Sequence, residues 1–274
     1  LACELAQLAG DDASARRTEK LRLHINGQLL ARHPQLLAAD PSSRYMGPRA
    51  MAIAWEVVPS DRRRAQVDRL IESVQANACE IDAGALGWSA LLDVLADSGS
   101  ADLAYQSLCQ LVQSAERSPS ATRSMASRSR AASRSTGTTS TLAPSVRAVD
   151  LRRSAMNRWL MRSLGGIQLT RDTAGCDKLM LMPQVVPGLS WAKVAFDSVR
   201  GQVIVSWKRR GNLLLLDVTV PSGLTAVVHV PTREPGSVAE GSRSVLVSRE
   251  IRTVGPGIYR ETSGLYNFTA LAPD

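Results

Sequence analysis

Aromatic residues are scarce in this sequence of 274 residues, at 4% of the chain, and five of them are tryptophan. Proteins that bind single-stranded nucleic acid by stacking present several aromatic side chains to successive bases. The scarcity therefore argues against a stacking platform of that kind. Hydrophobic residues still make up 44% and charged residues 21%, which is ordinary globular composition and excludes a chain that is disordered throughout.

Long apolar runs are missing as well. A membrane-spanning helix needs about 18 to 20 apolar residues, and the longest candidate, Leu179 to Val186, is interrupted by Pro183 and Gln184. The chain has no initiator methionine, and its first residues lack the basic segment of a signal peptide. We therefore expect no membrane association, and we interpret the sequence as a fragment whose beginning is missing.

Cysteine and histidine show no metal-binding spacing. The four cysteines, at positions 3, 79, 109 and 176, lie too far apart for a zinc pattern. The three histidines, at positions 24, 33 and 229, are scattered along the chain. We expect buried free thiols, no metal and no cofactor. Unpaired cysteines favour a reducing compartment, so the predicted location is cytoplasmic.

The net charge of +8 is concentrated in one segment. Residues 114–158 hold nine arginines against two acids, Glu116 and Asp150, whereas the rest of the chain is nearly neutral. Residues 114–141 also contain 14 serines or threonines and no apolar periodicity. This composition predicts a solvated, disordered linker over 114–151 and no nucleic-acid partner. The alternative is that the arginines bind nucleic acid or other anions.

The segments before this linker are predicted to be helical. Val67, Leu70, Ile71 and Val74 form an apolar stripe that predicts a helix over 61–77, with Ser60 as its N-cap. Further helices are expected over 47–58, 90–96 and 100–113, joined by short loops typical of antiparallel helical hairpins. After the linker, a last helix over 152–167 ends at a glycine pair.

From residue 175 to 271 the apolar period changes from helical spacing to two. The alternating residues predict strands around Val203 to Trp207, Leu214 to Val220, Ala226 to Val230, Val245 to Val247, Gly257 to Arg260 and Tyr266 to Leu271. Arg210-Gly211-Asn212 is placed as a hairpin turn between two of these strands. Many short strands with turn signals favour an antiparallel β-sandwich. The expected fold class is therefore α+β, with helices first and a sandwich after them.

Several ordered motifs in the last third carry a resemblance to a known family. They are Trp191-Ala192-Lys193, Phe196-Asp197-Ser198, Ser206-Trp207-Lys208, Val218-Thr219-Val220-Pro221 and Gly255-Pro256-Gly257-Ile258-Tyr259. This set resembles the C-terminal β-sandwich of bacterial α-L-rhamnosidases, glycoside hydrolase family 78. Residues 83–92, 100–110 and 159–167 resemble helical motifs of the same family. The resemblance implies the final hairpins of an (α/α)6 barrel, over 1–113 and 152–167, followed by the sandwich.

The same resemblance implies hydrolysis of terminal α-L-rhamnose with inversion, by two carboxyl groups on opposite faces of the sugar. The family's general acid lies in an Asp-Cys-Pro-x-Arg-x-Glu stretch and its second carboxylate in a Trp-Glu-Arg-Trp-Asp-Gly loop. Neither stretch occurs in these 274 residues, and the second should fall where the Ser/Arg-rich segment stands. No catalytic residue is therefore assigned. A local frameshift or a genuine linker insertion would each explain the segment, and resequencing the coding DNA distinguishes the two.

Two residues remain as candidates for substrate binding. Asp82 and Trp88 flank a glycine turn that, by the resemblance, faces the sugar cleft. Glu56 follows Trp55, but a solvated helix acid is the more ordinary interpretation than a general base. The remaining expectations are that Trp191 and Trp207 belong to the sandwich core and that His229 is exposed on an outer strand face.

Three functions compete at this point. The first is part of an α-L-rhamnosidase acting on rhamnose-containing glycosides, with this chain inactive when alone. The second is a non-catalytic structural or carbohydrate-binding remnant. The third is anion binding by the Arg/Ser segment. Because a partial barrel leaves apolar helix faces uncovered, we also expect pairing with the missing N-terminal barrel portion, or self-association.

Overall fold

The computed structural model describes residues 10–37, 46–78, 81, 83–117, 153–170, 177–241, 243–244 and 252–273. The chain divides into two compact units, Leu1–Arg153 and Ser154–Asp274. The predicted class, helices followed by a β-sandwich, is confirmed. Within the described ranges, no helix combines the length and the apolar composition that a membrane span requires.

The first unit is helical. It contains α1 (Asp12–Arg32), α2 (Met46–Ala54), α3 (Ser60–Ala76), α4 (Gly84–Asp97) and α5 (Ala101–Arg117), with a short 3-10 turn at Pro34–Leu36. The predicted stripe of α3 is confirmed in part, because Leu70 and Val74 are fully buried. Ser60 is the first helical residue and not the N-cap; the cap position belongs to Pro59, which makes no side-chain capping bond.

Two other helix boundaries differ from the sequence prediction for identifiable reasons. Helix α2 ends four residues early because Glu56 adopts a left-handed backbone with φ of 56°. The amides of Val57 and Val58 then both donate to the carbonyl oxygen of Ala52, at 2.9 and 3.2 Å. Helix α4 begins six residues before Ala90, at Gly84, where a φ of 63° suits glycine.

Helix α1 is not among the helices that the apolar pattern predicts, although its ends carry recognisable signals. The Asp11 side chain accepts a hydrogen bond from the amide of Ser14 at 3.0 Å. Hydrogen bonding by the Ser14 side chain, and then by its amide, lowers the pKa of that carboxyl group. Asp12 lies in the first turn and Arg32 in the last, where each charge complements the helix dipole. Its apolar residues are not gathered on one buried face, because Leu21, Leu23 and other large side chains are exposed.

The second unit is a sandwich of two sheets. Their strands are β1 (Ile167–Leu169), β2 (Lys178–Leu181), β3 (Trp191–Ser198), β4 (Gly201–Arg210), β5 (Leu213–Val220), β6 (Thr225–His229), β7 (Ala239–Glu240), β8 (Arg243–Ser244), β9 (Arg252–Gly255), β10 (Ile258–Glu261) and β11 (Gly264–Leu271). One sheet has the order β1-β2-β6-β10-β9 and the other β3-β4-β5-β11-β7-β8. Every described pair is antiparallel except β2 with β6.

The sandwich core follows the predicted alternation. The inward-facing side chains of β4, β5 and β6 are all at most 3% exposed, namely Val203, Val205, Trp207, Leu214, Leu216, Val218, Val220, Ala226 and Val228. Gly211, with φ of 59°, makes the predicted hairpin turn between β4 and β5. Tyr259 of one sheet stacks on Phe268 of the other at 5.6 Å between ring centroids, so the two inner faces meet there. The predicted strand at Val245 to Val247 lies outside the described residues.

A helix, α6, precedes the first strand and packs on the sandwich. It covers 153–164, and its last turn, Leu160–Leu164, is π-helical. Gly165, the residue after this helix, packs closely against Val194 of β3. A Cβ added at Gly165 would lie 2.8 Å from the Val194 side chain. A barrel role for this helix stays a prediction, as do the other proposed domain limits. Of the predicted linker, residues 114–117 continue α5, and the remainder lies outside the described residues.

Candidate functional site

The N-terminal ends of α2 and α4 meet with unusually close backbones. A Cβ added to Gly47 would overlap the carbonyl oxygen of Ala83, and one added to Gly87 would lie 2.6 Å from the Cα atom of Gly47. Only glycine permits this approach at both positions. The pair fixes the turn at residues 83–87, next to which the two candidate substrate-binding residues stand in the sequence.

The two candidates differ in what the structure describes. Asp82 lies outside the described residues. Trp88, in the first turns of α4, is 2% exposed, and its indole nitrogen has no hydrogen-bond partner in the described part of the chain. The ring is therefore packed among the helices and presents no face to solvent. Contact of Trp88 with a sugar stays a prediction, and it would require the neighbouring turn to move.

A second concave region lies at the other end of α2, beside the left-handed turn at Glu56. It is a groove of about 570 Å³ between α1 and the turn, and Arg22, Asn26, Glu56 and Arg63 are among its lining residues. Asn26 donates to the backbone oxygen of Glu56 at 3.1 Å, and Arg63 donates to the backbone oxygen of Ile53 at 2.7 Å. The first bond holds the turn at Glu56 against α1, and the second holds the end of α2 against α3.

The carboxylates of this groove are not arranged for acid–base chemistry. Arg22 binds Glu19 through two nitrogen atoms, at 2.8 and 2.6 Å, and reaches Glu56 at 3.1 Å. The hydrogen bond from Arg22 lowers the pKa of Glu19. A general acid needs a raised pKa and a proton to give, whereas this guanidinium favours the ionised form of Glu19. Glu56 is therefore one member of an exposed ion-pair network. Its exposure agrees with the more ordinary interpretation of the sequence, but it lies in the turn after α2 and not on a helix.

Metal ligands do not gather in the described ranges. No group of three histidine, cysteine, aspartate or glutamate side chains that could hold an ion occurs there. Cys109 is a free thiol and is half-buried; the other three cysteines lie outside the described residues. His229 is not fully exposed as predicted, because it pairs with Ile258 inside the sheet and burial lowers the pKa of its imidazole.

The two tryptophans of the sandwich lie on opposite faces of their sheet. Trp207 is in the core as predicted, 1% exposed, and donates its indole N–H to the backbone oxygen of Leu164 at 2.9 Å. The prediction for Trp191 is wrong, since its side chain is 61% exposed. In β3 the half-buried residues alternate along the strand and include Val194 and Phe196, and this alternation places Trp191 on the other face.

One carboxyl group that the sequence did not single out is strongly perturbed. Glu261 is completely buried, and both of its carboxyl oxygens lack a hydrogen-bond partner within the described residues. Burial raises its pKa to about 7, nearby Glu240 adds repulsion, and the Tyr266 hydroxyl acts in the opposite direction. A raised pKa suits a general acid, but no substrate reaches a side chain without exposed surface. Glu261 therefore belongs to the stability of the sandwich.

Helical hairpins followed by a two-sheet sandwich define the fold of six-hairpin glycosidases that carry a C-terminal β domain. The structure of Streptomyces avermitilis α-L-rhamnosidase complexed with L-rhamnose matches 97% of this chain and 25% of its own, with a TM-score of 0.66 at 19% identity. The structure of α-L-rhamnosidase from Dictyoglumus thermophilum matches 97% of this chain and 30% of its own, with a TM-score of 0.67 at 18% identity.

Sequence comparison gives the family. The model of the bacterial α-L-rhamnosidase six-hairpin glycosidase domain matches residues 1–118, and that of the bacterial α-L-rhamnosidase C-terminal domain matches residues 166–244. The curated Streptomyces avermitilis α-L-rhamnosidase is 26% identical over 231 residues, which are 84% of this chain. The chain belongs to the bacterial α-L-rhamnosidase family. It spans about a fifth of the length of that curated relative, 21%.

Proposed function

We propose that this chain forms the later hairpins and the C-terminal sandwich of an enzyme that removes terminal α-L-rhamnose from glycosides. The observation that supports this most strongly is the order of the two family matches, the hairpin domain over 1–118 and the C-terminal domain over 166–244. The substrate class comes from relatives that are named for it, one of which was solved with L-rhamnose.

The proposed reaction is an inverting hydrolysis. One carboxylic acid protonates the leaving oxygen, and a second carboxylate activates a water on the opposite face of the sugar. The two carboxyl groups of an inverting enzyme are about 6.5 to 9.5 Å apart. Within the described residues, the groove carboxylates Glu19 and Glu56 share one guanidinium, and Glu261 is buried. Neither arrangement provides the required pair, and both family stretches that carry it are missing from the sequence. We therefore propose that these residues alone do not hydrolyse the substrate.

The region at the N-terminal ends of α2 and α4 is the best candidate for a sugar subsite. There Gly47 and Gly87 bring the backbones together, and the buried Trp88 nitrogen offers a hydrogen-bond donor with no described partner. Buried donors are normally satisfied, so a sugar hydroxyl that reached this nitrogen after the neighbouring turn had moved would supply an acceptor and remove an energetic penalty. Asp82 precedes this turn in the sequence and is proposed as the second polar contact.

Hydrolysis of a chromogenic aryl α-L-rhamnoside tests the proposal, with the Streptomyces avermitilis enzyme as the positive control. We expect release by the control and no release above background by this chain. If the chain turns the substrate over, the proposal that it lacks the catalytic pair is wrong. Glu56→Gln and Asp82→Asn variants would then identify which carboxylate acts.

The proposed partner is the remaining part of the barrel or a second copy of this chain. Leu21, Ile25 and Leu29 follow each other at four-residue spacing along α1 and are 56%, 51% and 39% exposed. A continuous exposed apolar stripe on a helix is typical of an interface. Sedimentation velocity should show association that grows with concentration and that weakens in Leu21→Lys/Ile25→Lys. A wild-type chain that stays monomeric throughout contradicts this proposal.

The non-catalytic alternative, a structural or carbohydrate-binding remnant, is favoured by the same missing carboxylate pair. It predicts no activity even when the rest of the barrel is supplied by co-expression, whereas the hydrolytic proposal predicts recovery once a partner provides both carboxylates. The cytoplasmic location is likewise proposed, from the cysteine spacing, and cell fractionation tests it. Binding of anions by residues 114–158 predicts loss of binding when that segment is deleted.

A further inference from the structure

The outer face of β3 and β4 presents one large aromatic ring to solvent. Strand β3 is an edge strand of the six-stranded sheet, and its outward residues include Trp191 and Lys193. In the antiparallel register Trp191 lies directly opposite Lys208, and Lys193 lies opposite Ser206. Arg210 continues the same face of β4. Directly opposed side chains have Cβ atoms about 5 Å apart and diagonal neighbours about 7 to 8 Å apart. Lys208 is therefore the direct cross-strand neighbour of Trp191, Arg210 is a diagonal neighbour, and Lys193 lies two residues along the same strand.

The charges of this face are unbalanced in a specific way. Its two acids already accept hydrogen bonds from amide groups, Asp197 from Gln202 at 2.8 Å and Asp217 from Asn267 at 2.7 Å. Across the described ranges, by contrast, the side chains of Lys193, Lys208 and Arg210 form no ion pair or hydrogen bond. These two carboxylates keep their negative charge when they accept hydrogen bonds from amides, but the three cations outnumber them, so this face carries a net positive charge.

The ring contributes little to the fold in this position. Trp207 of β4 fills the core on the opposite face of the sheet, and its indole N–H donates to the backbone oxygen of Leu164. Trp191 leaves 61% of its surface in water, although burying such a side chain would be worth several kcal/mol. An exposed aromatic rimmed by polar groups is characteristic of a binding surface.

We propose that this face binds an acidic polysaccharide, with the Trp191 indole stacked on the apolar face of a sugar ring. Lys193, Lys208 and Arg210 pair with carboxylates of neighbouring sugar units. Positive charge around an aromatic ring is complementary to a ligand that is apolar on one face and anionic at its edge. Single-stranded nucleic acid fits less well, because successive bases require several aromatic platforms and Trp191 is the one aromatic on this outer face among the described residues. The inference does not depend on the proposed hydrolase function.

Isothermal titration of the full chain with oligogalacturonate, at physiological salt, tests this site. The chain is basic throughout residues 114–158, so general attraction to polyanions has to be separated from the site. Trp191→Ala keeps the charge and should weaken binding at least about tenfold, a change of roughly 1.4 kcal/mol. Trp55→Ala is the matched control, because Trp55 is 64% exposed in the helical unit, and it should leave binding unchanged.

A second pair of variants tests the cations. Lys193→Gln/Lys208→Gln should lose at least about tenfold in affinity, whereas Lys20→Gln/Arg64→Gln removes the same charge elsewhere and should have little effect. A neutral galactan oligomer should bind much more weakly than oligogalacturonate. Equal losses in both double variants, or full affinity in Trp191→Ala, would overturn the proposal. So would Trp191-dependent binding of a single-stranded oligonucleotide at equal or higher affinity.

Discussion

The buried carboxyl group of Glu261 makes the stability of the sandwich depend on pH. Its side chain has no exposed surface, and neither oxygen has a described hydrogen-bond partner. The ionised form would therefore lose its hydration, and the Tyr266 hydroxyl offsets only part of that loss. Glu240, on the neighbouring sheet and facing the same interior, adds like-charge repulsion. Both effects favour the protonated form in the folded state.

The size of the effect follows from the two pKa values. The pKa of Glu261 is raised from 4.5 to about 7 on folding, and one pKa unit corresponds to about 1.4 kcal/mol. Below pH 4.5 both states hold the proton and the stability contribution is fully present. It is lost as the pH rises through 7, because the unfolded chain has released a proton that the folded chain retains. Above that pH the folded state is destabilised by about 3 kcal/mol relative to a chain without this group.

Chemical unfolding followed by tryptophan fluorescence measures this at a series of pH values from about 5 to 9. Glu261→Gln, which cannot ionise, should remove most of the fall in unfolding free energy, leaving a difference of about 2 to 3 kcal/mol between pH 5 and pH 8 in the wild type only. Glu234→Gln is the control, because Glu234 is exposed and should leave the pH dependence unchanged. Parallel pH profiles for the wild type and Glu261→Gln would refute the reasoning.

Two further substitutions test the close contacts in each unit. Gly47→Ala should destabilise the helical unit by about 2 kcal/mol or more, because the added Cβ would overlap backbone atoms. Gly27→Ala has open space around it, and it should be neutral or stabilise α1 by up to about 1 kcal/mol. Thermal unfolding followed by circular dichroism distinguishes the two variants, and equal effects would contradict the packing argument. Trp207→Phe should cost about 2 to 3 kcal/mol through the lost bond to Leu164 and the cavity left behind, while Trp191→Phe should change stability by less than about 0.5 kcal/mol, with denaturant midpoints as the readout.

Apolar periodicity predicted the elements whose faces are buried. Helix α3 and strands β4 to β6 were placed from it because Leu70, Val74 and the inward residues of the strands repeat at the spacing that burial requires. Helix α1 was missed because its large apolar residues are exposed in this chain. Its capping aspartate and terminal charges were the available signal. The early end of α2 depends on a left-handed residue that is a glutamate, which no propensity suggests.

The candidate site was predictable only in part. The resemblance located the turn at residues 83–87, but only the structure shows that Gly47 reaches that turn from another helix and that Trp88 is buried. Trp191 was wrongly predicted to lie in the core, although the sequence separates it from Phe196 by an odd number of positions. Strand alternation therefore places the two side chains on opposite faces of β3. The perturbed Glu261 depends on which face of β10 turns inward and on Glu240, which is 21 positions away in the chain. Contacts of that kind do not follow from local pattern.

We propose that these residues carry the fold of part of an α-L-rhamnosidase without its two catalytic carboxylates. Release of the chromophore from an aryl α-L-rhamnoside tests it most directly, measured over a wide range of protein concentration beside the full-length Streptomyces avermitilis enzyme. We expect turnover by the full-length enzyme and a rate indistinguishable from buffer for this chain. A rate that rises in proportion to the concentration of this chain, and that falls in Glu56→Gln or Asp82→Asn, would contradict it.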